Sequence, residues 1–267
     1  MEEAIKLHWL IPGLDEKNTI IVLMILLDML IIIGIVAFGT LARKMKPNGP
    51  QNLVEWAVKY ICDYADSVIG EKDAPRYYPL LVMLFFFIFV GNLLGLIPGL
   101  ISPTSSLSVT VTLAVGVWLY TWFEGLTRKG PVKYFAHYTG SPSIPMAIRI
   151  PLFFIELISD FSRMISLSFR LFGNIVAKEV LLGVLVLLIL MFGPDTIKSI
   201  QNADMLGASI NGFIFLLVAI LRPLVILLGV LVSLIQAGVF TLLTATYISG
   251  AVVVHDEHEH EGHESAH

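Results

Sequence analysis

Two apolar stretches, 147–192 and 205–254, constrain this chain more than any other feature. As one helix each would be roughly 70 Å long, about twice the ~30 Å hydrocarbon core of a bilayer. Either each stretch holds two membrane spans, or each is one long helix that tilts or kinks. No basic loop or strong turn interrupts the first, and Arg222-Pro223 is the only plausible break in the second. The reading adopted is two long, tilted helices paired as a hairpin. Of the 267 residues, 56% are hydrophobic and only 14% are charged. A soluble core of this size would leave too much apolar surface wet, so the chain is expected to be an all-α polytopic membrane protein.

Three shorter spans are expected at 19–41, 80–97 and 107–126, making about five transmembrane helices in one membrane domain, 1–254. Asp28 lies inside the first span, where an acid is expected to face protein or a polar cavity. Over 52–69, Leu53, Trp56, Ala57, Tyr60, Ile61 and Tyr64 recur at helical spacing against Glu55, Lys59, Asp63 and Asp66. That pattern predicts an amphipathic helix lying on the membrane or on a partner. The loop 127–148 reads as irregular, and His137 within it as a surface histidine. The single cysteine, Cys62, excludes an internal disulfide and the multi-cysteine metal motifs. The first six residues lack the basic n-region of a secretory signal, so the first span is expected to be retained and the mature chain to begin near Met1.

Positive charge orients the spans. With the N-terminus outside, the inner flanks carry Arg43, Lys44, Lys46, Lys59, Lys72, Arg76, Arg128, Lys129, Lys133 and Arg149, against Lys6, Lys17 and Lys198 outside. Five spans then place the C-terminus in the cytoplasm. The acidic, histidine-rich segment 255–267 reads as a disordered, solvated tail.

Within 147–192, Arg170 has Leu, Ile, Val and Phe on both sides for several helical turns. A guanidinium stays charged in proteins, so it cannot escape the membrane's desolvation cost by becoming neutral. Projected at 100° per residue, Glu156, Asp160, Arg163, Arg170, Asn174 and Lys178 fall within about 80° of one another, a stripe expected to face protein or water. Glu179 lies on the opposite face, which suggests a second polar surface. On the last stretch Arg222, Ser233, Gln236 and Tyr247 share a face, with Asn211 near its start. Gln236 can donate and accept, so it could sit beside Arg170 without adding a competing charge. Interhelical glue is the plain alternative for Asn211, Ser233 and Tyr247.

The segment Ser-Leu-Ser-Phe-Arg-Leu-Phe-Gly-Asn at 166–174, continuing Ile-Val-Ala-Lys-Glu to 179, resembles subunit a of the F-type ATP synthases, in its bacterial form. Residues 91–98 look like the family's Asn-Leu-Leu-Gly-Leu-Ile-Pro segment, 109–113 like its Asn-Val-Thr-Leu-type helix start, and Gln236-Ala237 like its C-terminal end. The resemblance implies a stator subunit of the membrane rotary motor, present once in a large complex with a rotor c-ring and peripheral-stalk b subunits. It further implies the bacterial inner membrane, no cofactor, no catalytic chemistry on this chain and no nucleic-acid partner. By the same resemblance Arg170 is the stator arginine, Glu179 a half-channel position, and Asn174 and Gln236 polar positions near the arginine. Glu156 is then a candidate for the inner half-channel. Two departures stand out. Gly229 occupies the place where many relatives carry a His or Glu that partners the Glu179 position, and Lys178 stands where a small residue is common. Lys178 could supply the missing polar group. The carried ion is H+ or Na+, the proton being the commoner case.

Two rivals are weaker. An intramembrane protease is disfavoured because the His-Glu-x-x-His match, 263–267, lies in the acidic tail outside the apolar spans, and no Gly-x-Ser-Gly pattern occurs in the sequence. A secondary transporter would be expected to show an internal repeat relating two halves, and none is visible.

Overall fold

The computed structural model describes residues 16–41, 49–97, 99–131, 134, 145–201 and 205–252. Six long helices occur among them: α1 (Glu16–Leu41), α2 (Gly49–Ile69), α3 (Tyr78–Leu94), α4 (Leu107–Lys129), α5 (Met146–Gln201) and α6 (Met205–Val252). Short 3-10 turns at Ala74–Arg76 and Pro103–Ser105 carry the chain into and out of α3. Four helices, α1, α4, α5 and α6, are long and apolar enough to cross a membrane, and α3 is a shorter apolar helix. The protein is therefore an all-α polytopic membrane protein. His137, the basic cluster 43–46 and the tail 255–267 lie outside the described residues.

Helix ends follow local chemistry. Gly70, at φ +100°, stops α2 in a conformation that side-chain-bearing residues rarely adopt, and its N–H donates to Asp66 O at 3.0 Å. Pro79 stands in the first turn of α3, where its missing N–H costs nothing. The expected span 80–97 ends too late: α3 stops at Leu94, and Leu96 and Ile97 turn back on Leu93 and Leu94. Ile97 precedes Pro98, and a residue before proline resists the helical conformation. The span expected to end at 126 instead runs to Lys129, because Arg128 and Lys129 extend the last turn and reach back to protein oxygens.

α5 and α6 are each continuous, with 56 and 48 residues. Pro151, Pro194 and Pro223 lie inside them without breaking them. In such helices, neighbouring elements and local adjustment compensate the lost backbone bond. Arg222-Pro223, the one plausible break, is no break, as the reading of two long helices expects. The two helices pack antiparallel along their lengths: Arg163 meets Tyr247, Asn174 meets Gln236, Lys178 meets Ser233, and Gly193 lies against Phe215. A 56-residue helix is ~84 Å long. Inclination is what keeps such a rod from carrying apolar residues far into water.

The core lies where the C-terminal part of α6 is surrounded. Ala237, Phe240 and Ile248 are wholly buried there, in one cluster with Phe85, Phe86 and Phe87 of α3, Leu167, Leu171 and Ile175 of α5, and Ile61, Ala65 and Ile69 of α2. Farther along, α5 and α6 are joined by a small cluster of Leu185, Val218 and Val225. α2 divides its apolar residues differently from the expected single face. Ile61, Ala65 and Ile69 are buried, while Leu53, Trp56 and Tyr60 stay exposed on another side. Periodicity locates apolar positions but cannot tell which of two apolar stripes the bundle covers.

Candidate functional site

Arg170 lies on a side of α5 that no described element covers. Phe169, Arg170, Gly173 and Asn174 are exposed, while Leu167, Leu171 and Ile175 on the other side are buried. Helical periodicity produces this division: residues 167, 171 and 175 recur every four positions and face the core. Among the described residues no carboxylate pairs with the Arg170 guanidinium. One turn on, Asn174 Nδ2 donates to Gln236 Oε1 at 2.8 Å, linking α5 to α6. Gln236 is 3% exposed, and its Nε2 has no acceptor among the described residues. The hydrogen bond joins Gln236 to Asn174, not to Arg170.

Two hollows lie on opposite sides of this level. One, of about 370 Å³, is lined by Trp118 and Thr121 of α4, Glu156, Asp160 and Arg163 of α5, and Tyr247 of α6. Within it Arg163 reaches Asp160 at 3.4 Å and stands 5.9 Å from the Tyr247 ring centre. The other is an open cleft of about 520 Å³ between the segment 95–101 and the two long helices, lined by Glu179 and Gly183 of α5 and Arg222 and Ile226 of α6. Along α5, Glu156 lies ~21 Å to one side of Arg170 and Glu179 ~14 Å to the other.

Glu179 and Lys178 are adjacent in sequence and diverge in space. The Glu179 carboxylate accepts from Ser102 N at 3.4 Å, and Gly95 makes room for it: a Cβ there would lie 2.9 Å from Glu179 Oε1. Lys178 is buried and donates from Nζ to Asn92 O at 2.8 Å and to Ser233 Oγ at 3.2 Å. Its aliphatic stem passes over Gly229, where a Cβ would come within 3.2 Å of Lys178 Cδ. Leu96 Cδ2 comes closer still, at 2.7 Å, so the space beside Gly229 is filled by Leu96 and the lysine stem together. A larger residue at 229 and a long one at 178 compete for one volume.

The expected single polar stripe on α5 meets three environments instead. Glu156, Asp160 and Arg163 line a cavity, Arg170 and Asn174 look outward, and Lys178 is enclosed by α3 and α6. A line parallel to a long helix keeps one neighbour only if that neighbour is equally long and parallel. Here α3 and α4 flank separate portions of α5, so the surroundings change along the line.

The family model described as ATP synthase A chain matches residues 21–249, a range that holds every site residue named above. The chain belongs to the ATP synthase A chain family. Its relatives named ATP synthase subunit a include that of Helicobacter hepaticus, 38% identical over 234 residues, which are 87% of this chain and 89% of that protein. That of Sulfurovum sp. is 41% identical over 185 residues, 69% of this chain and 75% of the relative. That of Campylobacter jejuni is 36% identical over 231 residues, 86% and 88%.

As a member of the ATP synthase A chain family, the protein is an integral membrane component of a multi-subunit complex. Glu124 gains a place in it that sequence reasoning did not give it, and Asp28 faces protein as expected. Glu124, in the last turns of α4, is 1% exposed; it accepts from Tyr77 Oη at 2.7 Å and pairs with Arg76 at 3.4 Å and Arg128 at 3.5 Å. Burial, and then the bond to Glu124, push the Tyr77 hydroxyl well above the usual tyrosine range, so it remains a donor. Only the spacing Glu124 to Arg128, four residues on a helix, hinted at this cluster. Asp28 is wholly buried against α3, and its partner face could not be read from α1 alone.

Proposed function

We propose that the chain is the stator of a rotary ion motor, carrying two offset half-channels to and from a rotor c-ring and performing no catalytic chemistry itself. The observation that carries the reading is the placement of Arg170: a permanent cation on an uncovered helix face, between one hollow that holds Glu156 and another that holds Glu179. A fixed positive charge favours the ionised form of a carboxylate brought beside it, and so releases the ion which that carboxylate carries. The same charge repels a cation crossing directly between the hollows. Transport is then tied to rotor movement.

In this reading Glu179 serves the outer half-channel and Glu156 the inner one. Asn174 and Gln236 hold the two long helices in register beside the arginine, and Lys178 supplies the polar group that Gly229 lacks. The proton is the proposed ion, with Na+ as the alternative. The exposed Leu53, Trp56 and Tyr60 of α2 offer a surface for lipid or the peripheral-stalk b subunits. The location proposed is the bacterial inner membrane, with the N-terminus outside and the C-terminus cytoplasmic, by the distribution of Lys and Arg.

Arg170→Ala in the assembled complex tests the reading. Ion-driven ATP synthesis is expected to be lost while subunit a remains in the complex, and a normal synthesis rate would overturn it. ATP hydrolysis by the intact complex with and without sodium distinguishes the two ions.

A further inference from the structure

Arg222 lies in the apolar body of α6, half-buried, with Leu221, Leu224 and Val225 close by in the helix. More than four turns separate it from Met205, the first residue of α6, ~25 Å along the axis. A side chain cannot reach past its own helix end over that distance, so this is not an arginine that snorkels from a terminal turn. Its guanidinium stays charged and keeps a fork of N–H donors in need of acceptors. Arg76, Arg128 and Arg163 are each held by an acid, and the reading above gives Arg170 to the rotor. Arg222 has no ion-pair or hydrogen-bond partner among the described residues, and that reading gives it no task.

Its surroundings indicate the missing acceptor. Arg222 lines the open cleft of about 520 Å³, where Glu179 is the other charged residue of the lining. Glu179 is engaged by Ser102 N at 3.4 Å and does not come within ion-pair distance of the guanidinium. Arg222 stands seven positions before Gly229 on α6, ~10 Å along the axis from the level where the Lys178 stem lies against that glycine. The walls of the cleft are apolar, with Leu96, Leu182, Val186 and Ile226 among them. Its rim is apolar and bare: Ile97 is 51% exposed and Leu187 60%. Bare apolar side chains on membrane-spanning helices meet lipid, so the cleft opens sideways to the bilayer as well as outward. A lone cation beside an apolar trough fits an amphiphile with an anionic head. A phosphodiester supplies oxygens that a guanidinium binds with two parallel bonds, and an acyl chain covers the trough. A free inorganic anion would satisfy the cation and leave the trough bare.

We propose that Arg222 binds the phosphate of an anionic phospholipid whose acyl chain lies in the cleft between the segment 95–101 and the two long helices. The stator reading supplies only the side of the membrane, the outer leaflet. Basic pockets between transmembrane helices take lipid headgroups in this way. The headgroup stands at the mouth of the cleft beside Arg222, and Glu179 remains at the deeper end. Net charge sets the preference. A phosphatidylglycerol head carries one negative charge that offsets the guanidinium, whereas a phosphatidylcholine head brings a cation of its own beside it.

The test is photolabelling of the intact complex in phosphatidylcholine vesicles holding a trace of phosphatidylglycerol with a photoreactive group on its acyl chain. Wild-type subunit a is expected to be labelled on the cleft-lining peptides 95–101 and 182–187. Arg222→Gln is expected to lose that label by about tenfold or more, with Arg222→Lys keeping part of it. Equal labelling of wild type and Arg222→Gln overturns the proposal, as does label found only on other surfaces. Displacement of the label by sodium phosphate would assign the cation to a free anion and overturn the lipid site. If Arg222→Gln does not assemble, the wild-type complex decides. Cleft label that exceeds that from the same group on phosphatidylcholine, and that unlabelled phosphatidylglycerol displaces, supports the site; equal labelling by the two lipids overturns it. ATP-driven pumping by Glu179→Gln separates the two levels of argument. Normal pumping there defeats the stator reading and leaves the labelling result standing, whereas a defect there beside labelling that ignores Arg222 defeats only the lipid site.

Discussion

Gly95 and Lys178 show how single residues set the site. Glu179 can approach Ser102 because Gly95 has no side chain, and a Cβ there would also lie 2.9 Å from Ser102 Cβ. Neither the carboxylate nor the turn can give way without losing their hydrogen bond. Gly95→Ala is therefore expected to slow ATP-driven pumping by about tenfold to a hundredfold, as displacement of a positioned group does, while the subunit still assembles. Vesicle acidification measures it, and an unchanged rate would show that the position of Glu179 is unimportant. Arg170, Asn174, Glu179 and Gln236 were legible in the sequence because a polar group in an apolar run is conspicuous by itself. Gly229 was legible only as a departure. What fills its place, Leu96 and the stem of Lys178, depends on contacts between segments distant in the chain.

At the scale of elements, the entrance to α3 is tied to the end of α4 by Glu124, which serves Tyr77, Arg76 and Arg128 together. Arg76 is 60% exposed, so its pair with Glu124 is screened by water and contributes little. The bond from the buried Tyr77 hydroxyl matters more. Glu124→Ala would leave that hydroxyl buried without an acceptor and is expected to cost about 1–3 kcal/mol, with Glu124→Gln milder because its amide oxygen can still accept. Thermal unfolding of the purified complex reads the difference; equal losses for the two variants would assign the effect to charge instead. The helices themselves were largely legible, since apolar length and proline or glycine punctuation act locally. The split of α2 into a covered and an uncovered apolar side was not, because coverage is decided largely by α6, which is distant in sequence. Pro223 alone would allow a break, but the uninterrupted apolar length favoured one long helix, and α6 continues through it.

For the whole molecule, the long hairpin reaches beyond the bundle and leaves one side of α5 bare. Phe169 is 58% exposed and Leu171 is 0%, two positions apart in sequence and on different sides of the helix. In a background with Cys62→Ser, a cysteine at Gly173 or Phe169 is expected to cross-link to a cysteine on the rotor, and one at Leu171 is not. Gel analysis of oxidised membranes checks this, and equal cross-linking at all three positions would deny that the bare side is the rotor face. The sequence by itself determined the membrane class, the helices and the placement of a permanent charge deep in an apolar run. These follow from transfer free energy and backbone hydrogen bonding, which act residue by residue along the chain. Tertiary structure alone decided that Arg170 faces outward, that Leu96 and Lys178 fill the space at Gly229, and that Asp28 and Glu179 close on one strip of α3. Those outcomes depend on which surfaces meet, and packing of distant segments is not encoded in the periodicity of any one of them.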